Sequence, residues 1–250
     1  MSTFRFQQFA VRQTDSAMKI CTDATLFGAM TPLRGGERVL DIGTGTGLLA
    51  LMAVQRGASR VTAVELNAQA HAEACHNFAQ SPWTKRLHAV HGPVQDFCRN
   101  TTERYDLILC NPPFFENHYR ATDPGRNQAR HTDPLPYTEL VACLDRLLMS
   151  HGLCYLLLPV HTVRRFSGLA LRHGLHLVGR TDFRGHAHNR AKVSALTYTR
   201  QPAPCQHRLL TIYQAERVYS AESAHYLAAF LLRFVGAPEA SACPNLSVSA

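Results

Sequence analysis

The sequence contains no run of about eighteen apolar residues, so no segment reads as a membrane-spanning helix. Its opening residues carry Phe, Gln and Arg and lack the apolar core of a secretion signal, and a cytoplasmic location is expected. No Gly/Ser-rich or Pro-rich tract divides the 250 residues, and no repeat or low-complexity block is visible. One α/β domain over residues 1–235 is expected, with a small, polar, aperiodic tail at 236–250 expected to be disordered. The eight cysteines include no C-x-x-C pair. Cys75, Cys110, Cys143 and Cys154 lie in apolar or helical stretches and read as reduced thiols, not as disulfides or a zinc site. Nothing near His186 and His188 completes a metal site, so no metal is expected, and no feature calls for an obligate protein partner.

Acid is the scarcer charge: 18 Asp and Glu stand against 26 Lys and Arg, for a formal net charge of +8. That excess favours a polyanionic partner. The basic residues also cluster. Arg120, Arg126, Arg130 and His131 form one group; Arg180, Arg184, His186, His188, Arg190 and Lys192 form another; Arg5 and Arg12 lie near the start. Basic segments around one pocket suit contacts with phosphates.

Two motifs carry chemistry. The apolar run Val39–Ile42 reads as a strand, followed by Gly43, Gly45 and Gly47 at alternate positions and then an apolar helix from Leu48. Glycines at a strand-to-helix turn let the backbone approach a ligand closely. The G-x-G-x-G spacing, with Asp41 just before it, differs from the G-x-G-x-x-G of a pyrophosphate-binding turn. It favours a ligand with an amino-acid tail and a ribose. A second apolar strand, Val61–Glu65, ends in a carboxylate that can accept hydrogen bonds from both ribose hydroxyls.

The other motif is Asn111-Pro112-Pro113-Phe114, directly after the apolar run Tyr105–Cys110. The two prolines force a rigid, extended exit from a strand. The Asn111 side-chain oxygen and the Pro112 carbonyl can together accept both hydrogens of one NH₂ group, and Phe114 offers a flat apolar face. The grip fits a planar amine, either a nucleobase or a carboxamide.

With these residues in this order, the chain resembles class I S-adenosylmethionine-dependent methyltransferases of the N6-adenine type. More narrowly it resembles the bacterial valine-tRNA adenine-N6 methyltransferases. That narrower likeness rests on Phe6-Gln7-Gln8-Phe9, Ala17–Asp23, Leu48–Met52, Ser81-Pro82-Trp83 and Gln128-Ala129-Arg130, and it runs from about Phe4 to about Leu231. It implies S-adenosyl-L-methionine as cofactor and tRNA as partner, with methyl transfer to the N6 of adenosine 37 of valine tRNA. It implies that Asp41, Gly43, Gly45 and Gly47 line the methionine end of the cofactor, with Lys19, Thr22 and Asp23 beside it, and that Glu65 takes the ribose. Members often carry an acid just after the third strand to meet the cofactor adenine. Here His91-Gly92-Pro93 stands there, and the nearest acid is Asp96. Asn111, Pro112 and Phe114 would be catalytic; Pro113, Arg126, Arg130 and His131 would hold the substrate. The motif also occurs in enzymes acting on DNA bases, on ribosomal guanine or on a protein glutamine, and an RNA-binding protein that merely keeps the fold is a further alternative. The chain shows neither a target-recognition domain nor a helical N-terminal domain ahead of the glycine loop, and this favours tRNA.

Periodicity places strands at Val39–Ile42, Val61–Glu65, Leu87–Val90, Leu107–Cys110, Leu153–Leu158, Leu175–Val178 and Val193–Tyr198, with a late strand near Leu209–Ile212. Helices are expected at about Thr22–Met30, capped by Thr22 or Asp23, then Leu48–Arg56, Gln69–Gln80, Tyr137–Ser150, Thr162–His173 and Ser220–Phe234. Such alternation demands a mostly parallel sheet with helices on both faces. The resemblance makes it Rossmann-like, seven-stranded, with its last strand antiparallel. The aperiodic stretch 115–136 is expected to be a loop closing over the substrate.

Overall fold

The computed structural model describes residues 2–14, 19–112 and 135–235. The chain begins with a short antiparallel hairpin, β1 (Thr3–Arg5) and β2 (Ala10–Arg12), in the register Phe4 to Val11. Its turn is held from inside: Phe6 and Phe9 are buried and stacked with centroids 4.5 Å apart. Trp83 of the Ser-Pro-Trp stretch meets Phe9 edge-on at 6.0 Å.

Next come α1 (Thr22–Ala29), β3 (Arg38–Ile42), α2 (Leu48–Gln55), β4 (Arg60–Glu65), α3 (Ala68–Ala79), β5 (Leu87–His91), α4 (Val94–Asn100) and β6 (Tyr105–Cys110). After the undescribed segment follow α5 (Tyr137–Leu147), β7 (Leu148–Pro159), α6 (Val163–Arg172), β8 (His176–Arg184), β9 (Val193–Thr199) and β10 (Gln206–Thr211). A two-stranded ribbon, β11 (Tyr213–Ala215) and β12 (Val218–Tyr219), leads into α7 (Ala221–Leu227).

The central sheet has the order β10-β8-β9-β7-β6-β3-β4-β5. Every neighbouring pair is parallel except the two that β9 makes, so β9 alone is reversed. The expected parallel sheet with one antiparallel member is therefore present, with eight strands rather than seven. The eighth, β10, is the late apolar stretch paired parallel to β8 at the edge.

Alternate residues of each strand point to opposite faces. Val39, Leu107, Leu109 and Leu157 pack with α1, α2, α3 and α7 on one face, whereas Leu40, Ile108, Leu156 and Leu158 pack with α4, α5 and α6 on the other. Leu48 to Val54 of α2 are all buried, as an all-apolar helix must be.

Several boundaries shift where tertiary pairing overrides local pattern. The cap of α1 is Cys21, without a side-chain hydrogen bond, and not Thr22 or Asp23. The Thr22 hydroxyl is engaged with the Tyr213 hydroxyl at 2.9 Å, and Thr25 Oγ1 donates to the Cys21 carbonyl. Helix α5 stops at Leu147 because Leu148 already pairs with Tyr105 in the sheet. The last helix ends at Leu227: Leu231 turns back to bridge Phe6, and Gln7 Nε2 donates to the carbonyls of Ala228 and Leu231. Helix α4 is absent from the periodic pattern because it buries only Val94 and Cys98, too little for a signal. No helix among the described residues is long and apolar enough to cross a membrane.

Candidate active site

Because β3, β4, β5 and β6 are parallel, their carboxyl ends share one edge of the sheet. The chain goes from β3 outward to β4 and β5, then returns to place β6 on the other side of β3. Ligands of open α/β sheets bind at such a reversal. The glycine turn after β3 and Asn111 after β6 flank it.

The turn is built for close approach. Gly43, Gly45 and Gly47 have φ of +70°, +56° and +86°, a region that side chains with a Cβ seldom adopt. At Gly47 a Cβ would also lie 2.4 Å from Phe78 Cε1 of α3, whereas at Gly43 and Gly45 it would meet no atom within 4 Å. The first two glycines therefore border open space, and the third seats the turn on α3. Two backbone amides, of Gly43 and Thr44, donate to the Val64 carbonyl at 2.9 and 3.1 Å.

Glu65 fastens the same turn from β4. Its Oε2 accepts from the Gly45 amide at 2.8 Å and its Oε1 from the Asn67 amide at 2.8 Å. Each carboxylate oxygen keeps further acceptor capacity. Asn67 in turn caps α3, its Oδ1 accepting from the amides of Gln69 and Ala70.

Asp41 lies fully buried beneath the turn. Its Oδ2 accepts from Thr44 Oγ1 at 2.5 Å, while Oδ1 has no hydrogen-bond partner. Burial pushes its pKa up to about 7, against the Thr44 hydrogen bond; the Glu65 charge raises it further and the Ala50 amide lowers it. Asn111 Oδ1 is likewise buried and unpartnered. Two buried oxygens without partners thus stand at one reversal point, each with open acceptor capacity.

The segment holding Lys19 to Asp23 is tied to this turn through α3. Asn77 Nδ2 donates to the carbonyls of Arg12 at 3.0 Å and Thr46 at 2.8 Å, and its Oδ1 accepts from the Arg12 amide at 2.8 Å. Glu73 Oε1 accepts from the Thr14 amide at 2.6 Å. Lys19 Nζ donates to the Gln13 and Thr14 carbonyls. Asn77 is a site residue that the motifs do not single out, although a signal for it exists. Glu73 and Asn77 are polar residues four apart on the stripe where Ala70, Ala74 and Phe78 are buried, which predicts bonded partners.

Asp23 has its charged neighbour in another element. Burial raises its pKa, and the opposing charge comes from Lys192 in the basic loop after β8. That loop is at the same sheet edge, because β8 runs parallel to β6 and β3. Tyr213, delivered there by β10, lies 5.5 Å from the His186 ring and stacks on Tyr219 at 5.2 Å. Arg180 proves to belong elsewhere: it makes a two-pronged bond to Asp182 at 2.7 and 2.8 Å inside the sheet. Asp96 is in the first turn of α4, ion-paired with Arg99 and not with the glycine turn. Pro113, Phe114, Arg126, Arg130, His131 and residues 115–134 of the expected loop lie outside the described residues. No group of three or more His, Cys, Asp or Glu suited to a metal occurs among the described residues.

Comparison with known proteins agrees with this geometry. The methyltransferase small domain family matches residues 11–127. A relative from Flavobacterium psychrophilum named tRNA1(Val) (adenine(37)-N6)-methyltransferase is 37% identical over 221 residues, spanning 88% of this chain and 94% of the relative. Its namesake from Shewanella putrefaciens is 35% identical over 235 residues, spanning 92% and 99%. Among solved structures, a methyltransferase from Pyrococcus furiosus matches with TM-score 0.59 at 19% identity, over 78% of this chain and 90% of that one. A glycopeptide N-methyltransferase solved with S-adenosyl-L-methionine matches with TM-score 0.53 at 15% identity, over 76% and 100%. These structures speak for the fold, and the fold with its glycine turn is that of a class I methyltransferase. Within that class, the chain belongs to the tRNA1(Val) (adenine(37)-N6)-methyltransferase family.

Proposed function

We propose that this protein methylates the exocyclic N6 of an adenine in tRNA, adenosine 37 beside the anticodon of valine tRNA, using S-adenosyl-L-methionine in the cytoplasm. The observation that carries the reading is the buried, unpartnered Oδ1 of Asn111 at the end of β6, opposite the glycine turn. The names of the relatives supply the choice of tRNA and nucleotide.

The residues present fit the cofactor. The free Oδ1 of Asp41 suits a charged amino group, the open space over Gly43 and Gly45 suits the methionine chain, and Glu65 suits the ribose hydroxyls. Leu66 follows Glu65 directly and is 41% exposed, so we assign it as the apolar face for the adenine end, with Asp96 as the nearest acid after β5. Lys19, Thr22 and Asp23 are assigned beside the methionine end by the family resemblance. When bound, S-adenosylmethionine supplies an electrophilic methyl group on its sulfonium.

The chain's own task is orientation. An aromatic amine is a weak nucleophile because its lone pair is delocalised into the ring. Asn111 Oδ1 and the Pro112 carbonyl accept its two hydrogens, favour a pyramidal nitrogen and stabilise the positive charge developing there. No strong base is needed, since the methylated ammonium is itself very acidic and loses its proton to water. Phe114 stacks on the base, and Pro113 helps to hold the substrate; stacking of this kind is worth about 1–3 kcal/mol. Arg126, Arg130 and His131 serve as phosphate contacts. Single-turnover transfer of labelled methyl to a valine-tRNA transcript is expected to yield N6-methyladenosine at position 37. Label on another base, or on protein, would overturn the reading.

A further inference from the structure

Helix α6 follows β7, the strand beside β6, and so starts at the edge that holds Asn111. Val163, Phe166 and Ala170 are buried on its inner side. Its outer side carries Arg164, Arg165 and Arg172, all exposed, with Gly168 between them leaving the surface low. With His161 and with Thr138 of α5 they line a concavity of about 710 Å³, and no acid lines it among the described residues.

These three arginines differ from the ones that the fold closes into ion pairs. Arg38, Arg99, Arg180, Arg200 and Arg208 are each paired with a carboxylate, whereas Arg164, Arg165 and Arg172 meet none among the described residues. Arg164 and Arg165 fall in the first turn of α6, which holds no acid. Cations there oppose the helix dipole, so helix stability does not account for them. Arg164 and Arg172 are eight residues apart, about 12 Å of helix axis. They are spread along the helix and not gathered at a single point.

We infer that the outer face of α6 is a track for the sugar–phosphate backbone of the tRNA, leading away from the edge where the target base is held. The inference rests on the tRNA reading above and adds a surface to it. Guanidinium groups with no acid partner suit phosphate oxygens. Such contacts position the RNA without reading its sequence.

The test is the triple variant Arg164→Gln, Arg165→Gln, Arg172→Gln, in which glutamine keeps length and helix propensity. The plot of log affinity for tRNA against log salt should become shallower by about two, at roughly 0.7–0.9 for each phosphate no longer neutralised. At low salt, affinity should fall about 10–100-fold, by the same factor for valine tRNA and for a non-cognate tRNA. S-adenosylmethionine binding should be unchanged, and the matching triple lysine variant should restore most of the slope. An unchanged slope in a variant with native melting would overturn the track, as would a loss confined to valine tRNA. If wild-type protein binds tRNA and the triple variant does not, yet the wild type methylates another base, the track stands and the functional reading fails. If the wild type shows no salt-dependent tRNA binding, both fall.

Discussion

The two sides of the active edge hold their polar groups in different ways. On the side of β3, β4 and α3, polar side chains are turned inward and spent on the chain itself. Glu65 holds Gly45 and Asn67, Asn77 holds Arg12 and Thr46, and Thr44 holds Asp41. On the side of β7, β8 and α6, the mid-sheet charge is closed by Arg180, Ser194 and His207 around Asp182, but the edge presents His188, Arg190, Lys192, Arg164 and Arg165 exposed. A small ligand is bound by a few fixed atoms, so its side is preorganised. A polyanion is bound by many weak contacts, so its side needs only charge at the surface. Asn111 stands between them and should belong to neither binding function.

Asn111→Ala is therefore the sharpest way to break the comparison. It should leave cofactor affinity and tRNA affinity near wild type. It should lower the single-turnover rate on the order of 10²–10³, by analogy with removal of one preorganised charge-stabilising group. The rate in rapid mixing with excess enzyme reads this directly. A variant within a few-fold of wild type would remove Asn111 from the chemistry.

The two sides also differ in how legible they are in the sequence. The glycine turn, Glu65 and the β6 exit are legible because backbone demands leave a residue signature: positive φ needs glycine, and a strand exit without amides needs proline. The sheet is legible because buried parallel strands are continuous apolar runs, such as Leu107–Cys110. What escapes depends on distant partners. The Asn77 bridge joins residues 65 apart, and Thr22 is turned from its capping role by Tyr213, at a separation of 191. The arginines of α6 escape because a charged stripe on an amphipathic helix resembles any solvated face until the structure shows no carboxylate against them among the described residues. Arg180, by contrast, has the sequence setting of a phosphate contact, and only the fold puts Asp182 against it.

Glu65→Ala tests the cofactor side with a smaller effect. Loss of hydrogen bonds to a charged acceptor costs about 1.5–3 kcal/mol, or roughly 10–150-fold in S-adenosylmethionine affinity by calorimetry. Because the same carboxylate holds the Gly45 and Asn67 amides, the melting temperature should fall as well, in contrast to Asn111→Ala. The affinity for tRNA and its salt slope should not move. An unchanged cofactor dissociation constant in a folded variant would sink the ribose assignment, and a changed salt slope would mean that the two sides are not independent.

Asp41 gives the finest test, since it asks whether the inward-turned side is tuned for a cation. Its carboxyl has an ordinary pKa of 3.8 in the unfolded chain and about 7 when buried in the fold. Between those values the native protein holds a proton that the unfolded chain has lost, so the ligand-free fold loses stability as pH rises from about 4 to 7. A ligand ammonium beside Oδ1 needs the ionised form. Below pH 7 binding must first expel the proton, and cofactor affinity should fall about tenfold per pH unit between 7 and 5.5. Above pH 7 the dependence on Asp41 should vanish. Asp41→Asn keeps an acceptor for Thr44 but cannot ionise. It should bind the cofactor more weakly at pH 7.5, with affinity nearly flat from pH 5.5 to 7, and its ligand-free melting temperature should lose the wild-type decline over that range. Parallel pH profiles for the two proteins would show that the buried acid does not face the ligand, and would leave the glycine turn and Glu65 as the whole of the cofactor side.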